Sequence, residues 1–326
     1  MTKNVNLLFE YSLFFILVAF SLVLAFFGNF SYAVKDGLSL WIACVIPSLF
    51  PYLFITAILT SLSVTAKLSK GLSPLTEKVF NINGAVGYAL FISLISGYPI
   101  GAKTVADLKN SNALSDTEAV RASAVCSTSS PMFLIGSVGS IMFNDKSFGL
   151  TLFLCHLFSV LINGFFFSFY KRKEKNTAKP FYFNNKALDN ILYDGVYSAI
   201  ISILVVGGLI TIFYTLTEVL FSLNLLSPII DLFSLIFNDQ NFAKSIVFGA
   251  FECTKGLKAL SSGGISLFTL PVALAISGFG GLSVIAQSVS FLKGAKIKTA
   301  PFLLSKVTSA VISFIIGLIV SIIFYR

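Results

Sequence analysis

The sequence predicts an all-α polytopic membrane protein made of two inverted repeats with discontinuous helices and re-entrant hairpins. Three observations predict it. The 326 residues are 56% hydrophobic and only 11% charged, far to the apolar side of a globular domain. Apolar runs of about 20 residues, long enough to cross a hydrocarbon core as a helix, recur along most of the chain. Helix-breaking residues interrupt several of these runs, in sets that correspond between the two halves.

The first run, Leu7 to Gly28, is expected to be a retained N-terminal transmembrane helix within residues 1–30. Its apolar stretch exceeds the roughly 7–15 residues of a signal-peptide core, and Lys3 is the only positive charge ahead of it. The first repeat is expected over 31–170. It opens with "YAVKDGLSLWIACVIPSLFPYLFITAILTSL" (32–62), where Pro47 and Pro51 interrupt a span that starts at Asp36-Gly37. Residues 84–110 then read as a re-entrant hairpin, 116–143 as a broken crossing, and Phe148 to Tyr170 as a full span.

A basic linker follows at 171–190, containing "KRKEKNTAKPFYFNNK". The positive-inside rule puts it in the cytoplasm and, by counting back, the N-terminus as well. The second repeat is expected over 191–326. "LYDGVYSAIISILVVGGLITIFYTLTEVL" (192–220) has the same Asp-Gly start at Asp194-Gly195, offset by 158 residues from Asp36-Gly37. "SGFGGLSVIAQ" (277–287) is matched with "SGYPIG" (96–101), at the cost of an insertion assigned to the apolar segment "AKSIVFGAFECTKGLKAL" (243–260). The same count leaves "KGAKIK" (293–298) outside, against the positive-inside rule.

The formal charge of +9, from 23 Lys and Arg against 14 Asp and Glu, lies in short loops and speaks for membrane topology rather than nucleic acid. Cys44, Cys126, Cys155 and Cys253 are scattered without a CxxC spacing, so neither a metal site nor a disulfide framework is expected. His156 is the sole histidine and reads as a packed or pore-edge residue. There is no Gly-x-Ser-x-Gly, no HExxH and no Walker-type loop. No enzyme and no cofactor are therefore expected, and any transport would be secondary rather than driven by ATP.

Four places combine polar groups with broken helices. In the first, Gly97 and Gly101 allow close backbone approach beside Ser96 and Tyr98, and Pro99 suits the first turn of a new helix. The N–H groups freed by that turn can receive an anion, and Lys103 adds positive charge one turn in. The second is Cys126, Ser127, Thr128, Ser129 and Ser130, ended by Pro131, a neutral cradle of hydroxyls and amides or else a stitch between helices. The third is Glu252 with Thr254, an intramembrane carboxylate able to take a coupling proton or sodium, or else to pair with Lys255 or Lys258. The fourth is Ser277, Gly278, Gly280 and Gly281 with Ser283 and Gln287, the last two sharing one helix face.

"VIPSLFPYLFI", "SGYPIGAK", "CSTSSPMFLIGSVG", "FECTKG" and "SGFGGLSVIAQ", in that order, span about residues 37 to 315. In these stretches the chain resembles the YlbJ family of sporulation integral membrane proteins, built around the Gate or nucleoside recognition domain. That domain is similar to the core of concentrative nucleoside transporters. The resemblance implies a protein of endospore-forming bacteria that moves dipicolinate across the outer forespore membrane, with the four places above as substrate and coupling-ion residues. Where the family pattern often has asparagines after the cysteine, this chain has Ser127 and Thr128. The expected function is a secondary transporter or facilitator of a small polar, anionic metabolite. A nucleoside transporter is one alternative. Another is a non-transporting scaffold or regulator that binds partners through 171–186. Expected partners are a small-molecule solute, the lipid bilayer, a coupling proton or sodium and a second copy of the chain, with no nucleic acid.

Overall fold

The computed structural model describes residues 30–172 and 190–324, with scattered helical positions between 11 and 22. Most of the first apolar run and of the basic linker therefore lies outside the described residues. Those described form helices and no strands, and five helices are long and apolar enough to cross a membrane.

α1 (Ser31–Leu40), a π-helical turn (Trp41–Val45) and α2 (Ile46–Ser61) run on as one span from Ser31 to Leu59. The prolines do not interrupt it. Pro47 lies in the first turn of α2, where a missing N–H costs little, and the wider π turn just before it absorbs the change of register. α3 (Ser63–Lys78) leads to α4 (Val86–Ser96) and α5 (Ile100–Asn110), which fold back on each other about Gly97 to Pro99. α6 (Asp116–Val125) and the π-wound α7 (Met132–Met142) make a crossing unwound in its middle, and α8 (Lys146–Phe167) completes the first half.

The second half repeats this order. α9 (Ile191–Ser222) is the long span and α10 (Ser227–Phe237) the short connecting helix. α11 (Gln240–Phe251) and α12 (Cys253–Ser261) are too short to cross, at about 1.5 Å per residue. They fold back as a hairpin about Glu252: a Cβ on Gly256 would come within 2.7 Å of the Ser245 carbonyl, so only glycine lets the two backbones meet. α13 (Thr269–Phe279) and α14 (Gly281–Gly294) form one interrupted crossing, and α15 (Thr299–Phe324) is the last span.

This order corrects the sequence-based pairing of the breaks. The segment 243–260 is no insertion but the second hairpin, so "FECTKG" occupies the place of "SGYPIG", while "SGFGG" corresponds to "CSTSSP" in the interrupted crossing. The halves then have matching elements throughout. The equivalent glycines of the two Asp-Gly spans confirm the relation. Gly37 packs on Thr211 of α9, and Gly195 packs on Phe54 and Ile58 of α2.

The side of the membrane reached by "KGAKIK" changes with the pairing. A hairpin returns where it entered, which brings 293–298 to the same end as the basic linker. There Ala295, Ile297 and Phe302 share a core with Phe80, Leu108, Leu114 and Val120, and Arg121 Nε donates to the Tyr170 carbonyl at 2.8 Å. The conflict with the positive-inside rule came from reading the hairpin as a crossing.

α15 shows how such spans pack without a hydrophobic drive between them. Ser305, Ser309, Ser313, Gly317 and Ser321 recur every four residues on its buried face, and Val307, Val311, Ile315 and Ile319 lie exposed on the other. The small face lets α13 approach until Gly278 lies against the Ser309 carbonyl and Gly317 against Pro271.

Candidate functional site

All four interrupted segments meet. Gly97 has φ +75° and lies so near the Ser130 N–H that a Cβ would fall 2.6 Å from that nitrogen, so the first hairpin tip rests on the unwound part of its own repeat. Gly281, with φ +77°, likewise has the Cys253 N–H and the Gly249 carbonyl each 3.0 Å from its Cβ position, seating the second unwound segment on the second hairpin tip. Side chains at these positive-φ positions would be strained as well as crowded.

Tyr98 links the halves. Its backbone N–H donates to the Thr128 carbonyl at 2.8 Å, and its hydroxyl donates to the Ser277 carbonyl at 3.1 Å and accepts a short hydrogen bond from Ser129 Oγ. Gly280 lies over the ring, 3.6 Å from Tyr98 Cζ at its Cβ position. The two breaks first matched by sequence thus do face each other, although they are not equivalent in the repeat.

The unwound segment 126–130 is buried throughout, so every carbonyl needs a donor. Cys126 O receives Ser93 Oγ at 2.7 Å, Ser129 O the Thr128 hydroxyl at 3.2 Å, and Ser130 O the Leu134 N–H at 3.2 Å. Ser127 O receives Lys306 Nζ at 3.3 Å. The Ser129 N–H donates to His156 Nε2 at 3.0 Å, so the ring accepts there and a neutral imidazole carries its proton on Nδ1. His156 is therefore part of the framework that holds this backbone open.

Glu252 is 1% exposed and caps α12: its Oε2 accepts the Lys255 N–H at 2.6 Å and its Oε1 the Thr254 hydroxyl at 3.1 Å. The pairing with Lys255 considered from sequence is not made. Lys255 Nζ instead reaches Glu218 Oε1 on α9 at 2.8 Å, over the rings of Tyr214 and Phe248.

Two joined spaces lie among these groups. A tight inner crevice of about 40 Å³ is lined by Ser96, Tyr98, Ser129, Glu252, Thr254 and Gln287, among others. It shares Tyr98, Pro99 and Gln287 with a larger cavity of about 490 Å³, which also reaches Lys103 and the Ile201 to Leu209 face of α9. The second volume falls within the range of small-molecule sites, about 300–1,000 Å³, and the first does not. Lys103 itself is exposed and belongs to the larger cavity, away from the inner crevice. Ser283 Oγ and Gln287 Oε1, buried on the inner wall, have no hydrogen-bond partner among the described residues. α5 and α14 both begin here without a side-chain cap. Buried polar atoms without partners, beside uncapped helix starts, mark a surface prepared for a polar guest. Ser127, Thr128, Ser277 and Gly278 stand behind this surface, Gly101 and Cys126 form the contact between the first hairpin and the unwound segment, and Ser130 lines the crevice.

The sequence reading passed over Lys306. The signal was present, since "PFLLSKVTSAVISF" puts one cation inside an apolar span.

The chain is 29% identical over 304 residues to the sporulation integral membrane protein YlbJ of Bacillus subtilis (strain 168), covering 86% of this chain and 74% of that protein. The chain is a relative of YlbJ. No family model matches it. Among solved structures it resembles a double variant of CNTnw, a concentrative nucleoside transporter, in an outward-facing state, with a TM-score of 0.55, 12% identity, and coverage of 98% of this chain and 87% of that one. At that identity the likeness establishes the fold. The similarity to YlbJ and the apolar spans make this an integral membrane protein, with the fold that the likeness to CNTnw shows.

Proposed function

We propose that the protein is a secondary transporter or facilitator of a small polar, anionic metabolite, held where the two hairpin tips meet the two unwound crossings. The observation that carries this reading is the convergence of all four interrupted segments on one cavity whose inner wall offers Ser283 Oγ and Gln287 Oε1 unpaired. Lys103 at the mouth and the uncapped starts of α5 and α14 bias the cavity toward negative charge. Glu252 with Thr254 is the place for a coupling proton or sodium, next to the solute, and its carboxylate is in no ion pair among the described residues. Dipicolinate is the first solute to test, following the relationship to a sporulation protein. A nucleoside is the second reading, favoured by the likeness to CNTnw.

With the basic linker in the cytoplasm, the 490 Å³ cavity opens on the cytoplasmic side. Phe291 and Leu53, which line it, lie in the cytoplasmic halves of α14 and of the first span, and Lys103 lies deeper, one turn from the first hairpin tip. The inner crevice, at 40 Å³, is then the closed end of an inward-facing state.

Uptake into proteoliposomes of labelled dipicolinate, against labelled uridine, tests the reading. Dipicolinate should accumulate. Glu252→Gln, which keeps the cap on α12, and Gln287→Ala should each lower the rate by about tenfold, the worth of a charged or buried hydrogen bond, at unchanged protein yield. Wild-type rates from both variants would remove the site assignment, and no uptake of either solute would remove the transporter.

A further inference from the structure

The unwound crossing of the first half is met by a lysine from the last span. Lys306 lies on α15 and is 1% exposed. It makes no ion pair among the described residues. Its Nζ donates to Ser127 O at 3.3 Å and stands 5.0 Å from the centre of the Tyr98 ring and 5.8 Å from that of Phe302. Neighbouring carbonyls in the segment are satisfied by neutral hydroxyls or amides, and Ser127 O alone among them takes an ammonium. Beside it, Ser127 Oγ is buried without a hydrogen-bond partner among the described residues. Carbonyls freed where a membrane helix unwinds are the usual ligands of a transported or coupling cation. Aromatic faces serve the same charge.

We infer that the Lys306 ammonium is a tethered replacement for a bound monovalent cation. It fills the cation position between the first hairpin tip and the unwound crossing, holds Tyr98 in place against Ser129 and Gly280, and makes occupancy of that position independent of sodium. Removing the side chain to Cβ would leave Ser127 O and Ser127 Oγ facing a space that a small hydrated-shell-stripped cation can enter. The consequence for transport, uptake that needs no sodium and leaves coupling to a proton at Glu252, rests on the transporter reading. The occupancy itself does not, because it can be measured without any solute.

The test compares thermal unfolding of the full chain in detergent in sodium chloride and in choline chloride at equal ionic strength, together with ²²Na⁺ binding. Wild type should melt at the same temperature in both salts and bind no ²²Na⁺. Lys306→Ala should melt lower in choline, regain at least about 2 °C as sodium rises to saturation, and bind ²²Na⁺. Lys306→Arg, which keeps a cation, should stay insensitive to sodium. Saturable stabilisation by sodium that persists in Glu252→Gln with Lys306 intact overturns the inference. So does Lys306→Ala protein that melts like wild type in every salt, or that sodium fails to stabilise. If Lys306→Ala yields no folded protein, Glu252→Gln with Lys306 intact still decides: ²²Na⁺ bound to it in stoichiometric amount refutes the tethered cation, and its absence with equal melting in both salts upholds it. Should the melting results hold while uptake of dipicolinate and uridine fails, the tethered cation stands and the transporter reading falls.

Discussion

Gly101→Ala is expected to undock the first hairpin. The added Cβ would collide with the Cys126 carbonyl and come 2.6 Å from Ser93 Oγ, the hydroxyl that donates to that carbonyl at 2.7 Å. Gly101 lies within α5 at ordinary helical φ, so alanine brings no backbone strain and even a propensity gain of about 1 kcal/mol. Against this stands overpacking, about 1–3 kcal/mol, because the obstacle is backbone and cannot rotate aside. Parting the helices also leaves the buried Cys126 carbonyl unpaired, for about 1–3 kcal/mol more. The net cost is about 1–5 kcal/mol, a fall in melting temperature of several degrees for the full chain in detergent. Uptake should fall with it, since Tyr98 and Pro99 sit on the same tip. Gly294→Ala, with open space around it, is the matching control and should lower neither. A Gly101→Ala protein that melts within about 1 °C of wild type and transports normally would refute the reasoning.

Three further outcomes follow from the packing. Adjacent glycines of α9 should respond in opposite directions: Gly207→Ala meets the Trp41 indole, 2.6 Å from Nε1, and should destabilise by about 1–3 kcal/mol, whereas Gly208→Ala has open space and should stabilise by about 0.5–1 kcal/mol, both read by thermal melting. Glu218→Ala leaves the buried Lys255 ammonium unpaired and should cost about 3–5 kcal/mol. The double variant Glu218→Ala with Lys255→Met should recover most of that loss, and a double variant no more stable than the single one would show that the pair is not the cause. Glu118→Ala should cost about 2–4 kcal/mol in the same assay. Its carboxylate takes the Asn83 N–H at 2.7 Å and the Ser115 N–H at 2.9 Å, fastening the start of α6 to the loop before α4.

The residues that recognise each other across the cavity were legible as breaks but not as partners. Gly97, Pro99, Ser127 to Ser130 and Gly280 announce themselves because helix-breaking and polar residues are expensive in an apolar run. Glu252 did so by its charge. Their assignment to equivalent positions failed because "SGYPIG" and "SGFGG" look alike while "SGYPIG" and "FECTKG" do not, although the latter two are the hairpin tips. Likeness of sequence tracked the demand for close backbone approach, which a hairpin tip and an unwound crossing share. Lys306 was overlooked for the opposite reason: it lies in an otherwise regular span, where no break drew notice to it.

What the sequence by itself determined was the solvent and the elements: a membrane protein, helical throughout its apolar runs, with a repeated Asp-Gly span and four interrupted segments. These follow from local quantities, the length and polarity of each run, which the bilayer enforces segment by segment. Only the tertiary structure decided that 240–261 turns back instead of crossing, that Lys255 belongs to Glu218 and not to Glu252, and that Lys306 reaches Ser127. The reason is physical. A 22-residue stretch can satisfy its backbone either as one span or as two half-length helices, and the choice falls to contacts between distant residues: Gly249 and Gly256 against each other, and Gly281 against the tip that they form.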